Sequence, residues 1–179
     1  HIATVDDIDE RYWKQQPPNP FNLSSLQSEA YKVLNTSPKQ TLQLAQDLYG
    51  AGYTSYPRTG SQKLPKSIGY KSILDDLSEQ NKYDDLASSL LNKSSLSPNN
   101  GKKDDPAHPA IYPTGEKPSG LSDQEQKVYD LIVKRYFATF GKPATRKTTK
   151  ITFDIENYDF TTKATKTVKQ GWHKHYNPY

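Results

Sequence analysis

The chain has 179 residues, 32% of them hydrophobic, and carries 24 Lys and Arg against 20 Asp and Glu, a net charge of +4. This length suits one domain or one and a half, and the charge permits contact with nucleic acid without showing it, because binding follows clustering more than totals. The absence of Cys excludes disulfides, thiol catalysis and Cys-type zinc sites within the chain; no apolar run is long enough to span a membrane, and no signal peptide is visible.

Residues 1–16 are polar and mixed in charge; Ile2, Val5 and Ile8 keep no clean period, so a short strand is the most they predict. Pro17-Pro18-Asn19-Pro20 stiffens the backbone into an extended linker and forbids helix, which places a boundary there. After Phe21, the residues Leu26, Ala30, Val33 and Leu34 share one helical face, with Ser24 or Ser25 as the cap. A turn at Asn35-Thr36-Ser37 then starts a second helix, with Ser37 as N-cap and Pro38 at the first helical position. This helix is expected to bury Leu42, Ala45, Leu48 and Tyr49 and to end at Gly50 and Gly52. Two short helices joined by a tight turn resemble a helix-turn-helix pair, an arrangement that also builds many other small helical domains.

Tyr53-Thr54-Ser55-Tyr56-Pro57-Arg58-Thr59-Gly60-Ser61 follows at once as a brief extended segment. Pro57 biases Tyr56 toward extended geometry and so fixes the direction of its ring. Two readings stand side by side. One is a proline turn with a packed Tyr; the other is a phenol able to act as a covalent nucleophile, beside a guanidinium able to hold a phosphate through parallel hydrogen bonds.

Residues 66–92 predict helix in two pieces, carried by Ile68, Ile73, Leu74 and Leu77 and then by Tyr83, Leu86, Leu90 and Leu91. Residues 93–107 read as an exposed loop, followed by the rigid, non-helical Ala107-His108-Pro109-Ala110-Ile111-Tyr112-Pro113-Thr114-Gly115. The clearest helix spans 122–140, opened by a capping box of Ser122 and Glu125 and stopped by Gly141 and Pro143. Residues 150–155 and 158–162 then alternate strictly around Glu156-Asn157, a β-hairpin, with Thr-rich strand continuing to Val168 and a bend at Gln170-Gly171-Trp172. His173 and His175 would share a face if they lay in a strand; a packed or solvated pair is the reading preferred to a ligand pair. The organisation expected is α+β: residues 1–20 begin a β-rich domain, 21–141 form an inserted helical domain, and 142–179 return to the β-rich one, so that the ends of the insert lie close together. The start at His1 and the lack of Met suggest a piece of a larger protein.

Four segments together carry a family resemblance: Pro17 to Leu23, Leu44 to Tyr53, Tyr56-Pro57-Arg58-Thr59-Gly60-Ser61, and His108-Pro109-Ala110-Ile111-Tyr112-Pro113-Thr114. In this order and spacing the chain resembles the type IA DNA topoisomerases over nearly its whole length, and its Tyr-Pro-Arg-Thr form is most similar to archaeal topoisomerase I, topoisomerase III and reverse gyrase. The resemblance implies a helical domain carrying the active-site Tyr, inserted in a β-rich arch domain. It implies that Tyr56 attacks a backbone phosphorus of single-stranded DNA, leaving a 5′-phosphotyrosyl link and a free 3′-hydroxyl, with strand passage and religation to follow. It implies Arg58 as the catalytic phosphate clamp, His108 as a contact to the DNA backbone, Thr59 and Ser61 as further phosphate donors, and Gln46 as a helix residue near the site.

Two positions depart from the family pattern. Gly50 stands where many members carry Glu, and Tyr112 where many carry Arg or His. The family's Mg²⁺ site and acid–base residues belong to a separate Toprim domain with no counterpart here, so no metal site is expected in this chain, and Asp104-Asp105 reads as a solvated acidic pair. The resemblance further implies a cytoplasmic, nucleoid-associated protein acting as a monomer, with Toprim as intramolecular partner and no membrane, and a chain inactive by itself. The rival reading is a helix-turn-helix module that binds single strands without chemistry. A tyrosine recombinase does not fit, because Arg11 alone among Arg residues precedes Tyr56.

Overall fold

The computed structural model describes residues 2–176; His1 and residues 177–179 lie outside the described part. In order come β1 (Thr4–Gln15), α1 (Leu23–Leu34), α2 (Pro38–Gly50), α3 (Tyr70–Ser78), α4 (Asp84–Leu91), α5 (Asp123–Thr139), β2 (Ala144–Ile155) and β3 (Tyr158–Lys169), with short 3₁₀ turns at Lys66–Ile68 and Gly171–Lys174. The class is α+β. The chain divides into two compact units: one combines the chain up to Gln16 with Lys142–Gly171, the other combines Pro17–Gly141 with the chain from Trp172 onward.

The first unit is a three-stranded antiparallel sheet in the order β1-β2-β3. β1 runs over 12 residues, far more than its apolar pattern predicts. Its pairing with β2 from Thr4↔Asp154 to Gln15↔Ala144 supplies the ladder hydrogen bonds that its own sequence does not announce. Because Gln15 lies opposite Ala144, the strands before and after the helical block meet at their block-facing ends. The β2–β3 turn places Glu156 and Asn157 at φ 55° and 66°, the left-handed pair that a two-residue hairpin needs, and Asn157 N–H donates to Asp154 Oδ1 at 3.0 Å.

The second unit is built on α5. Val128, Tyr129, Ile132, Val133, Tyr136 and Phe137 are all buried on it. Ser122 and Glu125 form the expected capping box. The core is aromatic: Tyr83, from the start of α4, meets Tyr129 and Phe137 edge-on at centroid distances of 6.3 and 6.0 Å. Its hydroxyl donates to Asp130 Oδ1 at 3.1 Å, and Asp130 in turn pairs with Lys82 and Lys134 at 2.9 and 2.8 Å. Behind α5, a side chain at Gly141 would meet the Trp172 Cα at 2.7 Å, so only glycine lets the C-terminal segment pack there.

The helix starts differ in part from the sequence reading. α1 is capped by Asn22, whose side chain accepts from Ser25 N–H in a reciprocal box; Ser24 and Ser25 lie inside the helix. Asn22 wins because its extended backbone leaves its carboxamide over the first turn. α2 begins as expected, with Ser37 as cap and Pro38 first. Its buried face is Thr41, Leu44, Ala45 and Leu48, a rotation from the predicted set, and Tyr49 is 47% exposed. His173 and His175 lie in and just after a 3₁₀ turn, where the strand rule of alternate faces does not apply.

Candidate functional site

α2 ends in a tight reversal. Gly52, at φ +84°, lets its N–H reach Tyr49 O at 2.9 Å while Tyr53 N–H reaches Leu48 O at 2.9 Å. The chain emerges as residues 53–55, which zip against residues 112–114. Ser55 N–H donates to Tyr112 O at 2.9 Å, Thr114 N–H donates to Tyr53 O at 3.1 Å, and Thr54 pairs antiparallel with Pro113. The Ser55 hydroxyl accepts from Tyr112 N–H at 3.0 Å. Segments far apart in sequence are thereby fixed side by side.

The opening segment closes the arrangement. Phe21 forms an antiparallel bridge with Ile111, whose N–H donates to Phe21 O at 2.7 Å. Leu23 N–H donates to Thr59 O at 3.1 Å, and the Asn22 carboxamide donates to Gly60 O at 3.1 Å. All four sequence segments therefore converge on one place.

Tyr56 sits there between two rings. Tyr49 meets it edge-on at 5.3 Å, and the His108 imidazole lies tilted against it at 4.6 Å. Two contacts of this kind hold a phenol in one orientation at modest energetic gain. Arg58 is exposed. With its amide oxygen turned toward the guanidinium, Gln46 accepts from Arg58 Nε at 2.9 Å and from the adjacent terminal nitrogen at 3.2 Å. That bond steadies the cation without neutralising it, and leaves donors free for an anion.

Thr59 and Ser61, expected to donate to phosphate, are 4% and 1% exposed. The Thr59 hydroxyl donates to His108 O at 3.2 Å and accepts from Ser61 N–H at 3.0 Å, and the Ser61 hydroxyl accepts from Lys63 N–H at 3.1 Å. In this conformation both shape the turn that presents Arg58. Gly50 ends α2 with open space beside it, so a larger side chain there would add a group without displacing anything. Tyr112 is half-buried, and burial pushes its phenol up.

Three residues at the site escape the sequence reading. Tyr49 was expected in the core and instead presents its ring to Tyr56. Asp104 is exposed and Asp105 part-exposed, as a solvated acidic pair would be, but each holds defined partners that the sequence did not announce. Asp104 bonds Lys63 Nζ at 2.8 Å, which holds its carboxyl below the usual range. Asp105 accepts from Ala107 N–H at 3.0 Å and Gly60 N–H at 3.3 Å, and these backbone donors, Ala107 first, lower its pKa. Asp105 thus joins the Arg58 turn to the His108 loop. An Asp two residues before the amide it caps, followed by Pro106, is an Asx-turn signature and was legible in principle. Beside His108 opens a recess of about 390 Å³ lined by Ser61, Lys63, Asn100 and Asp105. Among the described residues, no group of three or more His, Cys, Asp or Glu could hold a metal ion, and no helix is long and apolar enough to cross a membrane.

Comparison with known proteins places this geometry in context. The family model described as DNA topoisomerase matches residues 1–179. The chain is 45% identical to DNA topoisomerase 1 of Pyrococcus horikoshii across 99% of this chain and 26% of that protein. It is 48% identical to DNA topoisomerase 1 of Methanothermobacter thermautotrophicus across 99% of this chain and 24% of that one. The fold is similar to full-length topoisomerase I of Thermotoga maritima, with a TM-score of 0.68 at 25% identity, over 96% of this chain and 29% of the other. The chain therefore spans about a quarter of the length of the curated relatives it matches.

Proposed function

The chain belongs to the type IA DNA topoisomerases, and from that premise we propose that it carries their cleavage centre: Tyr56 is the nucleophile and Arg58 the phosphate clamp for transient opening of single-stranded DNA. The phenolic oxygen bonds to phosphorus as the bond from phosphorus to the 3′ oxygen breaks, and the phenolic proton is balanced by protonation of the departing 3′-hydroxyl. Religation reverses both changes, so the phosphodiester energy is conserved in the tyrosyl link.

What supports this reading is the convergence of Tyr56, His108, Arg58 and Gln46 from separate segments onto one surface. Arg58 offers charged donors to the oxygens on which negative charge builds. His108 both orients the Tyr56 ring and reaches the DNA backbone. Gln46 aims Arg58. Thr59 and Ser61 act at the phosphate by holding the turn that delivers Arg58. The helical block is the family's active-site domain, inserted in the β-rich arch.

The described residues do not fit a Mg²⁺ site. Among them no three or more His, Cys, Asp or Glu cluster as a metal site would need, and the acid pair nearest His108, Asp104-Asp105, is committed to Lys63 and to backbone donors. No step proposed for this chain runs through the metal. Mg²⁺ and the groups that handle the proton come from a Toprim domain of the same protein, which acts on DNA in the cytoplasm as a monomer.

The test is covalent trapping. The intact protein, incubated with end-labelled single-stranded DNA and quenched in detergent, should yield an adduct that peptide mapping places on Tyr56. Tyr56→Phe should abolish it while single-strand binding persists. An adduct on another residue, or one that survives in Tyr56→Phe, refutes the assignment. The 179-residue chain alone should relax no supercoiled plasmid.

A further inference from the structure

The sheet unit has two unlike faces. Strand register places Asp9, Arg11 and Trp13 of β1 on the same face as Lys150, Thr148 and Arg146 of β2 and Lys163, Thr165 and Thr167 of β3. On the opposite face, Lys147 is neutralised by Glu10 at 2.6 Å. On the first, Arg11, Lys150 and Lys163 close no ion pair among the described residues and surround a shallow depression of about 590 Å³, with Asp9 as its sole acid. Trp13 forms one wall and is 37% exposed. Its indole N–H is tied down, donating to Thr148 Oγ1 at 3.1 Å, and Thr148 in turn shares a hydrogen bond with Thr165 at 2.9 Å. The polar edge of the ring is therefore satisfied across all three strands while the ring itself borders the open depression.

We propose that this face is a second binding surface for single-stranded DNA, separate from the unit that carries Tyr56. Unpaired cations on a pleated surface match phosphates, and a pinned, accessible indole offers a stacking platform for a base. A duplex presents its bases edge-on and already stacked, so it cannot use the indole in this way. Around the depression Thr148, Thr165 and Thr167 add hydroxyl donors, while the other acids of this face, Asp7, Asp154 and Asp159, lie toward the hairpin end of the sheet, away from Trp13. The inference rests on the sheet alone and does not depend on the chemistry assigned to Tyr56.

The experiment is a fluorescence titration of the 179-residue chain with oligothymidine. The chain has two Trp, and Trp172 is buried, so Trp13→Phe supplies the background. Saturable quenching that disappears in Trp13→Phe is expected. The triple variant Arg11→Gln, Lys150→Gln, Lys163→Gln alters only exposed or part-exposed side chains. It should weaken binding at least tenfold at low salt and reduce the slope of log affinity against log salt by about 2, from roughly 0.7 per phosphate neutralised. Three results overturn the proposal: no quenching that depends on Trp13, an unchanged salt slope in the triple variant, or tighter binding of an equal-length duplex. The wild-type titration against single strand and duplex decides the matter even if the triple variant does not fold. None of these readouts involves the covalent adduct, so this proposal and the Tyr56 assignment can fail separately.

Discussion

Arg135 on α5 offers a sharp test of how the helical unit supports the site. Its Nε donates to Asn19 O at 2.8 Å, and its guanidinium lies 4.3 Å from the centroid of the Phe21 ring and 5.5 Å from that of Tyr176. A terminal nitrogen stands 3.8 Å from Glu29 Oε1, with the two side chains 15% and 14% exposed. A charged hydrogen bond to a part-buried carbonyl contributes about 1.5–3 kcal/mol, and a desolvated cation over a ring about 0.5–2 kcal/mol. The ion pair adds less than the full cost of breaking a buried pair, because Glu29 keeps the Tyr176 hydroxyl at 2.5 Å. Arg135→Ala should therefore cost about 3 kcal/mol, near a 10 °C fall in melting temperature for a chain of this size. Arg135→Lys should recover little, since lysine retains the charge but loses the planar fork. A double-mutant cycle with Glu29→Gln should give a coupling of about 1 kcal/mol. The assay is urea and thermal unfolding followed by circular dichroism. Because Phe21 O accepts from Ile111 N–H, exchange of the Ile111 amide should also accelerate in Arg135→Ala. A loss under about 1 kcal/mol with unchanged Ile111 exchange would refute the reasoning.

Two further predictions follow from titratable groups. His175 is 7% exposed, its Nδ1 has no hydrogen-bond partner, and burial, with help from Lys174 and Lys93, lowers its pKa from 6.5 to about 4. The folded state then binds fewer protons than the unfolded chain between these values. Stability is full above pH 6.5 and falls by roughly 2–3 kcal/mol as pH drops toward 4; His175→Gln should flatten that part of a stability-against-pH curve, and an unchanged curve would contradict it. For Asp105, replacement by Ala should speed hydrogen exchange at the Gly60 and Ala107 amides together, and Asp105→Asn should restore part of the protection; loss at one amide alone would mean that the carboxylate does not join the two loops.

Much of this molecule is legible from residue order. The helix starts at Ser37 and Ser122, the long aromatic α5 and the hairpin at Glu156-Asn157 follow from local caps, periodicity and turn chemistry, and they stand in the structure. These features depend on neighbours within a few residues, so the chain carries their cause in plain view. β1 does not work that way. Its residues keep no apolar alternation because neither face forms a dry core within its own unit, and its length comes from pairing with β2.

The site divides along the same line. The sequence by itself determined which residue types were available: a phenol beside a guanidinium after a helix, a histidine in a proline-rigid loop, and the order of four segments that marks the family. Only the tertiary structure decided which of them face outward. Tyr49 turned out toward Tyr56 because α2 is rotated to bury Leu44 and Thr41, while Thr59 and Ser61 turned inward because the turn needed their hydroxyls for its own amides. Asp105 gained its place from a backbone amide at Gly60, far away in sequence. Long-range hydrogen bonding and burial settle such choices, and no window of sequence contains both partners.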